Sequence, residues 1–247
     1  MPSTKARRPW RWIAGAAVAA LALRALLTLP MATKQGINFN VSSHQIPLYV
    51  KALDFLYRDA HYRLLAKQIT AGCRTETERV LAVFAWTKRN IRETPKGWPI
   101  VDDHILDIII RGHGLSDQVA DVFTTLCTYA GVPGFWRVIG IPGSDRDVIL
   151  SFARVDGRWV ALDVWRGWVF ARPDGRLVDV EELAADPALI RGVIGQGWDG
   201  SAPYEAYVAR AVPLSVPRPL RPELQMTGRR LWYEARRSLG MEHPHGS

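Results

Sequence analysis

Apolar residues recur at helical spacing most clearly between residues 116 and 130. The recurring positions are Val119, Val122, Phe123, Leu126, Cys127 and Ala130. This spacing predicts a helix with one buried face. Gly131 and Pro133 follow directly and are typical of a helix end. The pattern therefore predicts a buried helix that begins at Ser116, a residue type favoured at the N-cap position.

Helical patterns precede this segment and strand patterns follow it. Residues 48–70 and 75–91 are periodic at helical spacing, and the second stretch begins with the capping box Thr75-Glu-Thr-Glu78. The apolar residues 101–111 predict a short buried helix. After Pro133 the period changes to two, which predicts strands at 135–141, 147–155, 158–165 and 168–171. Helices followed by strands with hairpin connections predict an α+β fold, with helices packed on an antiparallel β-sheet.

The N-terminus has the pattern of a targeting or anchoring segment. Residues 1–11 are basic, and residues 12–32 carry one charge, Arg24. A helix over 12–32 would be about 30 Å long, which matches the hydrocarbon thickness of a bilayer. Arg24 opposes insertion by about 2.5–3.5 kcal/mol. We therefore predict two alternatives, an uncleaved signal anchor or, because the uncharged run 12–23 has the right length, a cleaved signal peptide. A soluble amphipathic helix is the remaining interpretation of this segment.

Both alternatives predict the same location for the rest of the chain. The basic flank 1–11 stays in the cytoplasm, so the bulk of the chain is expected outside it. In a Gram-negative bacterium that location is the periplasm, and a cleaved signal would make the protein secreted. Residues 33–47 are polar and predict a linker, and residues 48–190 form the predicted main domain.

Residues 191–247 are interpreted as a C-terminal extension with two parts. Prolines at 213, 217, 219 and 222 predict an extended segment. Residues 224–239 then predict a basic amphipathic helix, with arginines at 229, 230, 236 and 237 opposite its apolar side. This helix either docks its apolar side on the domain or binds an anionic membrane surface.

The positive charge is concentrated at the two ends of the chain. The sequence has a formal net charge of +8. Residues 1–24 contribute +5, residues 218–237 contribute +4, and the remainder is close to neutral. A nearly neutral central domain argues against a nucleic-acid partner.

Two short segments carry a resemblance to a known family. Gly114-Leu-Ser116-Asp-Gln-Val-Ala120, followed by Gly131-Val-Pro133, resembles the nucleophile element of the transglutaminase-like superfamily. Asp156-Gly157-Arg158-Trp159-Val-Ala-Leu-Asp163 resembles the turn and strand that lead to that family's catalytic aspartate. The resemblance covers residues 75–185. It implies a papain-like α+β core with a Cys–His–Asp triad.

In the register of this resemblance, two triad positions are replaced. Ser116 stands at the cysteine position, Val148 at the histidine position and Asp163 at the aspartate position, with Leu150 at a tryptophan of the family. A serine hydroxyl needs a positioned base during attack, and valine cannot accept a proton. The resemblance therefore implies a degenerate member.

Other residues were considered for the missing chemistry. His113 and His104 are the candidate alternative bases, because both lie near the Ser116 loop in the sequence. Cys127 falls on the apolar side of its helix, where thiols are usually inert. The sequence contains no spacing of His, Cys, Asp and Glu that predicts a metal site, and no cofactor is predicted.

We derive three functional hypotheses. The leading one is a membrane-tethered, extracytoplasmic transglutaminase-like domain without catalysis, which binds an envelope peptide, a polysaccharide or a protein. Trp159, Trp165 and Trp168 are then the candidate groove, and sheet packing is the alternative role for them. The second is an acyl-transferring or amide-hydrolysing enzyme with Ser116 as nucleophile and a base that the sequence does not identify. The third is a structural assembly factor held to the membrane at both ends.

Overall fold

The computed structural model of the chain describes residues 10–241. Most of the predicted basic N-terminal segment lies outside them. The helices are α1 (Trp10–Leu27), α2 (Leu48–Ile69), α3 (Glu76–Asn90), α4 (Ile105–Arg111), α5 (Ser116–Tyr129), α6 (Val180–Ala185), α7 (Pro187–Ile194), α8 (Tyr204–Arg210) and α9 (Thr227–Ser238), with a 3₁₀ turn at Arg221–Gln225 before α9. The strands are β1 (Pro30–Ile37), β2 (Asn40–Pro47), β3 (Arg92–Glu93), β4 (Val101–Asp102), β5 (His113–Gly114), β6 (Gly134–Ile139), β7 (Val148–Val155), β8 (Arg158–Asp163) and β9 (Trp168–Val169).

The central sheet consists of the four consecutive strands β6, β7, β8 and β9, paired antiparallel in chain order. All four correspond to strands that the period of two predicted. The β7–β8 hairpin turns at Asp156 and Gly157, which both have positive φ. In its register Ser151 lies opposite Leu162, and Val155 lies opposite Arg158. The predicted α+β class with an antiparallel sheet is confirmed.

Side chains alternate across this sheet and build two cores, one on each face. On the first, here called the α5 face, Ala153, Val155, Val160 and Leu162 pack with the apolar residues of α3 and α5. On the second, the α8 face, Val148, Leu150, Phe152 and Ala161 pack with residues of α6, α7 and α8. The sheet is therefore covered by helices on both faces.

The helices before the sheet form where their end signals predict. In α3, Thr75 Oγ1 accepts the Glu78 amide at 3.1 Å, and a Glu78 carboxylate oxygen accepts the Thr75 amide at 3.1 Å. This is the predicted capping box. In α5, Val119, Val122, Phe123 and Leu126 are buried as the periodicity predicted. The predicted helix at 101–111 is shorter, because residues 101–102 pair with β1 and only α4 is helical.

The N-terminal region differs from the sequence prediction in two ways. Helix α1 ends at Leu27 instead of Ala32, because Pro30 opens strand β1. The predicted linker 33–47 instead belongs to the hairpin of β1 and β2, with tip residues Asn38 and Phe39 at positive φ. Its polar side chains hid the strand pattern, since most of both strands is exposed. Within residues 10–241, no helix has the length and apolar character needed to cross a membrane. The predicted membrane-spanning anchor is therefore not confirmed.

The predicted boundary at residue 190 does not separate two units. Helix α7 runs across it, and Tyr204, Tyr207 and Val208 of α8 are completely buried in the core of the α8 face. The sequence pattern concealed this, because α8 is only a short helix between prolines. Residues 187–220 are therefore part of the domain.

The predicted basic amphipathic helix forms as α9, but its apolar side faces away from the domain. Its apolar residues Leu231 and Trp232 are 66% and 67% exposed, whereas Thr227 and Tyr233 are half-buried. The hydroxyl of Thr227 donates to Asp59 of α2 at 3.0 Å. Docking of α9 through its apolar side is therefore wrong, since polar residues hold the helix in place.

Candidate functional site

The first turn of α5 is held by Gln118 and not by Ser116. Leu115 is the N-cap residue, with extended backbone, and its amide donates to Gln118 Oε1 at 3.1 Å. The Gln118 amide group also donates to the Val101 carbonyl at 2.6 Å. A glutamine at the third helical position can satisfy the N-cap amide in this way. The prediction that Ser116 caps the helix is therefore wrong by one residue.

Ser116 is half-buried at the first position of α5. Within residues 10–241, its hydroxyl forms no hydrogen bond. Neighbouring Asp117 accepts the Gln118 amide at 2.9 Å through its side chain. The local geometry therefore gives the hydroxyl of Ser116 no base to activate it.

Asp163, at the end of β8, is completely buried and makes three hydrogen bonds. Its Oδ1 accepts the Arg166 amide at 2.8 Å, and its Oδ2 accepts the Arg166 guanidinium at 2.9 Å. The Tyr204 hydroxyl donates to the same Oδ2 at 2.9 Å. Burial raises the pKa of Tyr204 well above its usual value, and the adjacent Asp163 carboxylate raises it further. The carboxylate is thus neutralised and oriented by an arginine and a tyrosine.

Aromatic rings enclose this ion pair. The Arg166 guanidinium lies 4.8 Å from the centroid of the Trp198 ring and 5.7 Å from that of Trp168. The Tyr204 ring contacts Trp168 edge-on at 5.0 Å and Trp198 at 5.2 Å. Such contacts orient the guanidinium in addition to its ion pair. The Asp163 site therefore has the features of a packed structural centre.

Ser116 and the other two triad positions belong to different elements, a helix and two strands. Ser151 lies opposite Leu162, so Leu150 and Asp163 are the next pair along the strands. Val148, two residues from Leu150, shares their face by the alternation of a strand. All three are on the α8 face, whereas α5, which carries Ser116, packs on the α5 face. The register therefore places Val148 and Asp163 on one face of the sheet, whereas Ser116 is the first residue of the helix whose apolar side packs on the other face.

Neither candidate base contacts Ser116. The Nδ1 of His113 lies 3.3 Å from the hydroxyl of Thr94, and its ring contacts Trp98 edge-on at 5.2 Å. His104 precedes α4 and lies 4.0 Å from a carboxylate oxygen of Asp54. Burial lowers the pKa of both histidines, and nearby Arg111 and Arg58 lower it further. Both rings therefore have partners other than the serine.

The cysteines offer no replacement nucleophile at this position. Cys127 is completely buried on α5, and that burial raises the pKa of its thiol. A neutral thiol in an apolar core does not ionise to the reactive thiolate. Cys73 lies half-buried in the loop between α2 and α3, and both thiols are free. The inert role predicted for Cys127 agrees with its environment.

The three tryptophans of the predicted groove lie in different places. Trp168 belongs to the Arg166 cluster, and Trp165 packs against the core of the α5 face. Trp159 packs edge-on against Phe135 at 5.0 Å and lines a cleft with a volume of about 1070 Å³. The C-terminal residues 216–220 form another wall of this cleft. A single groove lined by all three tryptophans is therefore wrong, and only Trp159 lines this cleft.

Sequence reasoning missed the partners of Asp163. Arg166 follows it by three residues, a spacing that permits a local ion pair and was the available signal. The sequence contains no indication of the contacts made by Tyr204 and Trp198. Both residues are more than thirty positions away, and the packing of α8 brings them to Asp163 and Arg166. Among the described residues 10–241, no cluster of His, Cys, Asp and Glu is suited to hold a metal ion.

Comparisons with known proteins agree with the family resemblance. Residues 63–164 match the model of the transglutaminase-like superfamily. Two solved structures are similar at low identity: a candidate protease from Parabacteroides distasonis, and a candidate cysteine protease from Cytophaga hutchinsonii. The first is 14% identical with a TM-score of 0.34 over 54% of this chain, and the second is 18% identical with a TM-score of 0.37 over 52%.

The chain spans less than half of either solved structure, 35% of the first and 45% of the second. No curated protein matches the sequence. The family match covers both the Ser116 element and the strand that ends at Asp163. Over residues 63–164 the chain is therefore similar to the transglutaminase-like superfamily.

Proposed function

We propose that this protein is a non-catalytic transglutaminase-like domain that acts as a binding module at a membrane surface outside the cytoplasm. The observation that carries the proposal is the environment of Asp163. This carboxylate is completely buried, and it is already bonded to Arg166 and Tyr204. Its role in the domain is thus structural.

The chemistry of Ser116 supports the same conclusion. A hydroxyl at neutral pH becomes a nucleophile only when an adjacent group takes its proton. Val148, at the family's histidine position, has no such group and is completely buried. His113 and His104 contact other residues, as described above. The protein then retains the fold of the family while its surface does the binding.

Two exposed helices support a location at a membrane. On α1, Ile13, Val18 and Leu21 are each more than 60% exposed, and the helix carries apolar side chains all round. On α9, exposed Leu231 and Trp232 lie beside arginines, a combination that binds anionic lipid surfaces. The placement of the domain outside the cytoplasm rests on the basic N-terminal sequence alone, because basic flanks are retained on the cytoplasmic side.

Reaction with a serine-directed fluorophosphonate tests the catalytic part of the proposal. We expect no labelling of Ser116 in the full chain, and an equally unreactive Ser116→Ala variant. A serine hydrolase treated in parallel serves as the positive control for the probe. Labelling that disappears in Ser116→Ala would contradict the proposal and favour the acyl-transferring enzyme.

Sedimentation with lipid vesicles tests the membrane part. We expect the full chain to bind vesicles that contain phosphatidylserine better than vesicles of phosphatidylcholine alone. The double variant Leu231→Ser, Trp232→Ser should bind the phosphatidylserine vesicles at least tenfold more weakly, because burial of each side chain contributes about 1.5–3 kcal/mol. Ile110→Ser, which removes a 70% exposed apolar residue from α4, is the matched control. Unchanged binding by the double variant would rule out α9 as the contact.

A further inference from the structure

The cleft beside Trp159 lies outside the positions that the family resemblance assigns to catalysis. It is bounded by the β7–β8 hairpin, the extended residues 216–220 and α9. Its volume of about 1070 Å³ slightly exceeds the roughly 300–1,000 Å³ of most small-molecule sites. The cleft therefore has room for an oligomeric ligand and is much larger than a single ion requires.

The charge of the cleft is strongly positive. Four arginines and one acidic residue line it: Arg154, Arg218, Arg236, Arg237 and Glu223. Glu223 is already paired with Arg229, and its other carboxylate oxygen accepts the Leu220 amide at 3.2 Å. Within the described residues 10–241, Arg154, Arg218 and Arg237 form no ion pair with an acidic side chain. Among the residues that the structure describes, the guanidinium groups of Arg154, Arg218 and Arg237 thus remain without a carboxylate partner.

Apolar surface lies between these charges. Trp159 is held by its edge-on contact with Phe135 and stands directly opposite Arg154 in the β7–β8 pairing. Tyr233 on α9 is half-buried and neighbours the arginines of its own helix along the cleft. The remaining wall is formed by aliphatic and proline side chains. The cleft therefore combines basic and apolar surface.

We propose that this cleft binds an extended acidic peptide segment. Guanidinium groups pair with carboxylates through two parallel hydrogen bonds, so arginines on several walls fit several acidic side chains. In an extended peptide, successive side chains point in opposite directions, so acidic side chains can reach the arginines while apolar side chains contact Trp159 and the aliphatic wall. An acidic polysaccharide provides the charges but no aliphatic side chain for the apolar surface beside Trp159.

The inference rests on the proposed function, because it names the ligand class of the binding module. Its test is nevertheless separate, since it measures peptide affinity and neither turnover nor lipid binding. Fluorescence anisotropy of the full chain with a short labelled peptide of alternating glutamate and leucine gives the affinity. We expect binding that weakens with added salt, and no binding of the corresponding lysine–leucine peptide.

The variant Arg154→Gln, Arg218→Gln should weaken this binding at least tenfold. Both arginines are exposed, so the fold is expected to survive, and thermal unfolding checks this. Arg210→Gln is the matched control, because Arg210 is an exposed arginine of α8 that does not line the cleft. Leu231→Ser, Trp232→Ser should leave peptide affinity unchanged.

Three results would overturn the inference. Equal affinity in the arginine double variant would show that the peptide binds elsewhere. Tighter binding of polygalacturonate than of the peptide would identify a polysaccharide site. Full displacement of the peptide by equimolar inorganic phosphate would reduce the cleft to a general anion site.

Discussion

Helices α5 and α9 carry apolar side chains at similar spacing, yet those of α5 are buried in the core and those of α9 are exposed. In α5, Val122, Phe123 and Leu126 are completely buried against the sheet. In α9, Leu231 and Trp232 face outwards, while the half-buried Thr227 and Tyr233 face the domain. The difference teaches that an amphipathic pattern specifies two faces of a helix but does not specify which face the domain covers.

The contacts that hold α9 explain its orientation. Asp59 of α2 accepts hydrogen bonds from Thr227 at 3.0 Å, from Tyr129 at 2.6 Å and from Arg63 at 3.1 Å. Next to them Arg221 forms an ion pair with Asp121 at 3.0 Å. Polar groups of α2 and α5 thus fix the C-terminal segment, and the apolar side of α9 is left for another partner.

The largest expected difference in stability is between two alanine variants, each of which removes one aromatic residue, one from α5 and one from α9. Phe123→Ala should lower the free energy of unfolding by about 3–5 kcal/mol, because the cavity lies in the core. Trp232→Ala should change it by less than about 0.5 kcal/mol, because the ring is exposed. Urea unfolding followed by circular dichroism measures both. A comparable loss in both variants would break the comparison.

The second effect concerns Asp59, whose hydrogen bond with Thr227 holds α9 on the domain and is here called the α9 anchor. Asp59→Ala should cost about 1.5–3 kcal/mol, because it removes a charged acceptor of three hydrogen bonds. Hydrogen exchange should then increase in α9 and remain slow in α5. Asp54→Ala is the matched control, since Asp54 is a half-exposed carboxylate of the same helix that pairs only with local Arg58 and His104. Unchanged exchange in α9 would show that Asp59 does not hold it.

The third effect separates two residues at the start of α5. Gln118→Ala should destabilise the domain by about 0.5–2 kcal/mol, because its side chain caps the Leu115 amide. Ser116→Ala should change stability by less than about 0.5 kcal/mol, since the Ser116 hydroxyl forms no hydrogen bond within residues 10–241. Thermal unfolding of both variants provides the measurement. A larger loss of stability in Ser116→Ala than in Gln118→Ala would indicate that Ser116 caps the helix.

The last prediction uses the pH dependence of the α9 anchor. Burial raises the pKa of Asp59, but the hydrogen bonds from Tyr129, Arg63 and Thr227 outweigh it and leave the pKa below its ordinary value. A lowered pKa in the folded state stabilises the docked helix above about pH 3.9, the ordinary value for Asp. This contribution is lost as the pH falls through the folded pKa.

Hydrogen exchange of α9, corrected for intrinsic rates, should therefore accelerate below about pH 4 relative to α5. The Asp59→Asn variant serves as the control, because its amide does not titrate. Retention of the same pH dependence in Asp59→Asn would assign it to another group.

The family and its sheet were readable from local sequence because their signals are local. The turn Asp156-Gly157, the alternation of β7 and β8 and the periodicity of α5 each depend on neighbouring residues. The hairpin of β1 and β2 was not readable, since its exposed polar side chains carry no alternation between apolar and polar. The family resemblance also aligned Ser116, Val148 and Asp163 with the three triad positions, but it did not show on which face of the central sheet each lies.

The sequence by itself thus indicated the similarity to the transglutaminase-like superfamily over residues 63–164, the antiparallel sheet and the basic amphipathic C-terminal helix. Only the tertiary structure decided that Asp163 pairs with Arg166 and Tyr204, that α9 faces its apolar residues outwards, and that arginines from distant segments share one cleft. The physical reason is that periodicity and turn chemistry act over a few residues, whereas ion pairs and clefts depend on which distant surfaces pack together.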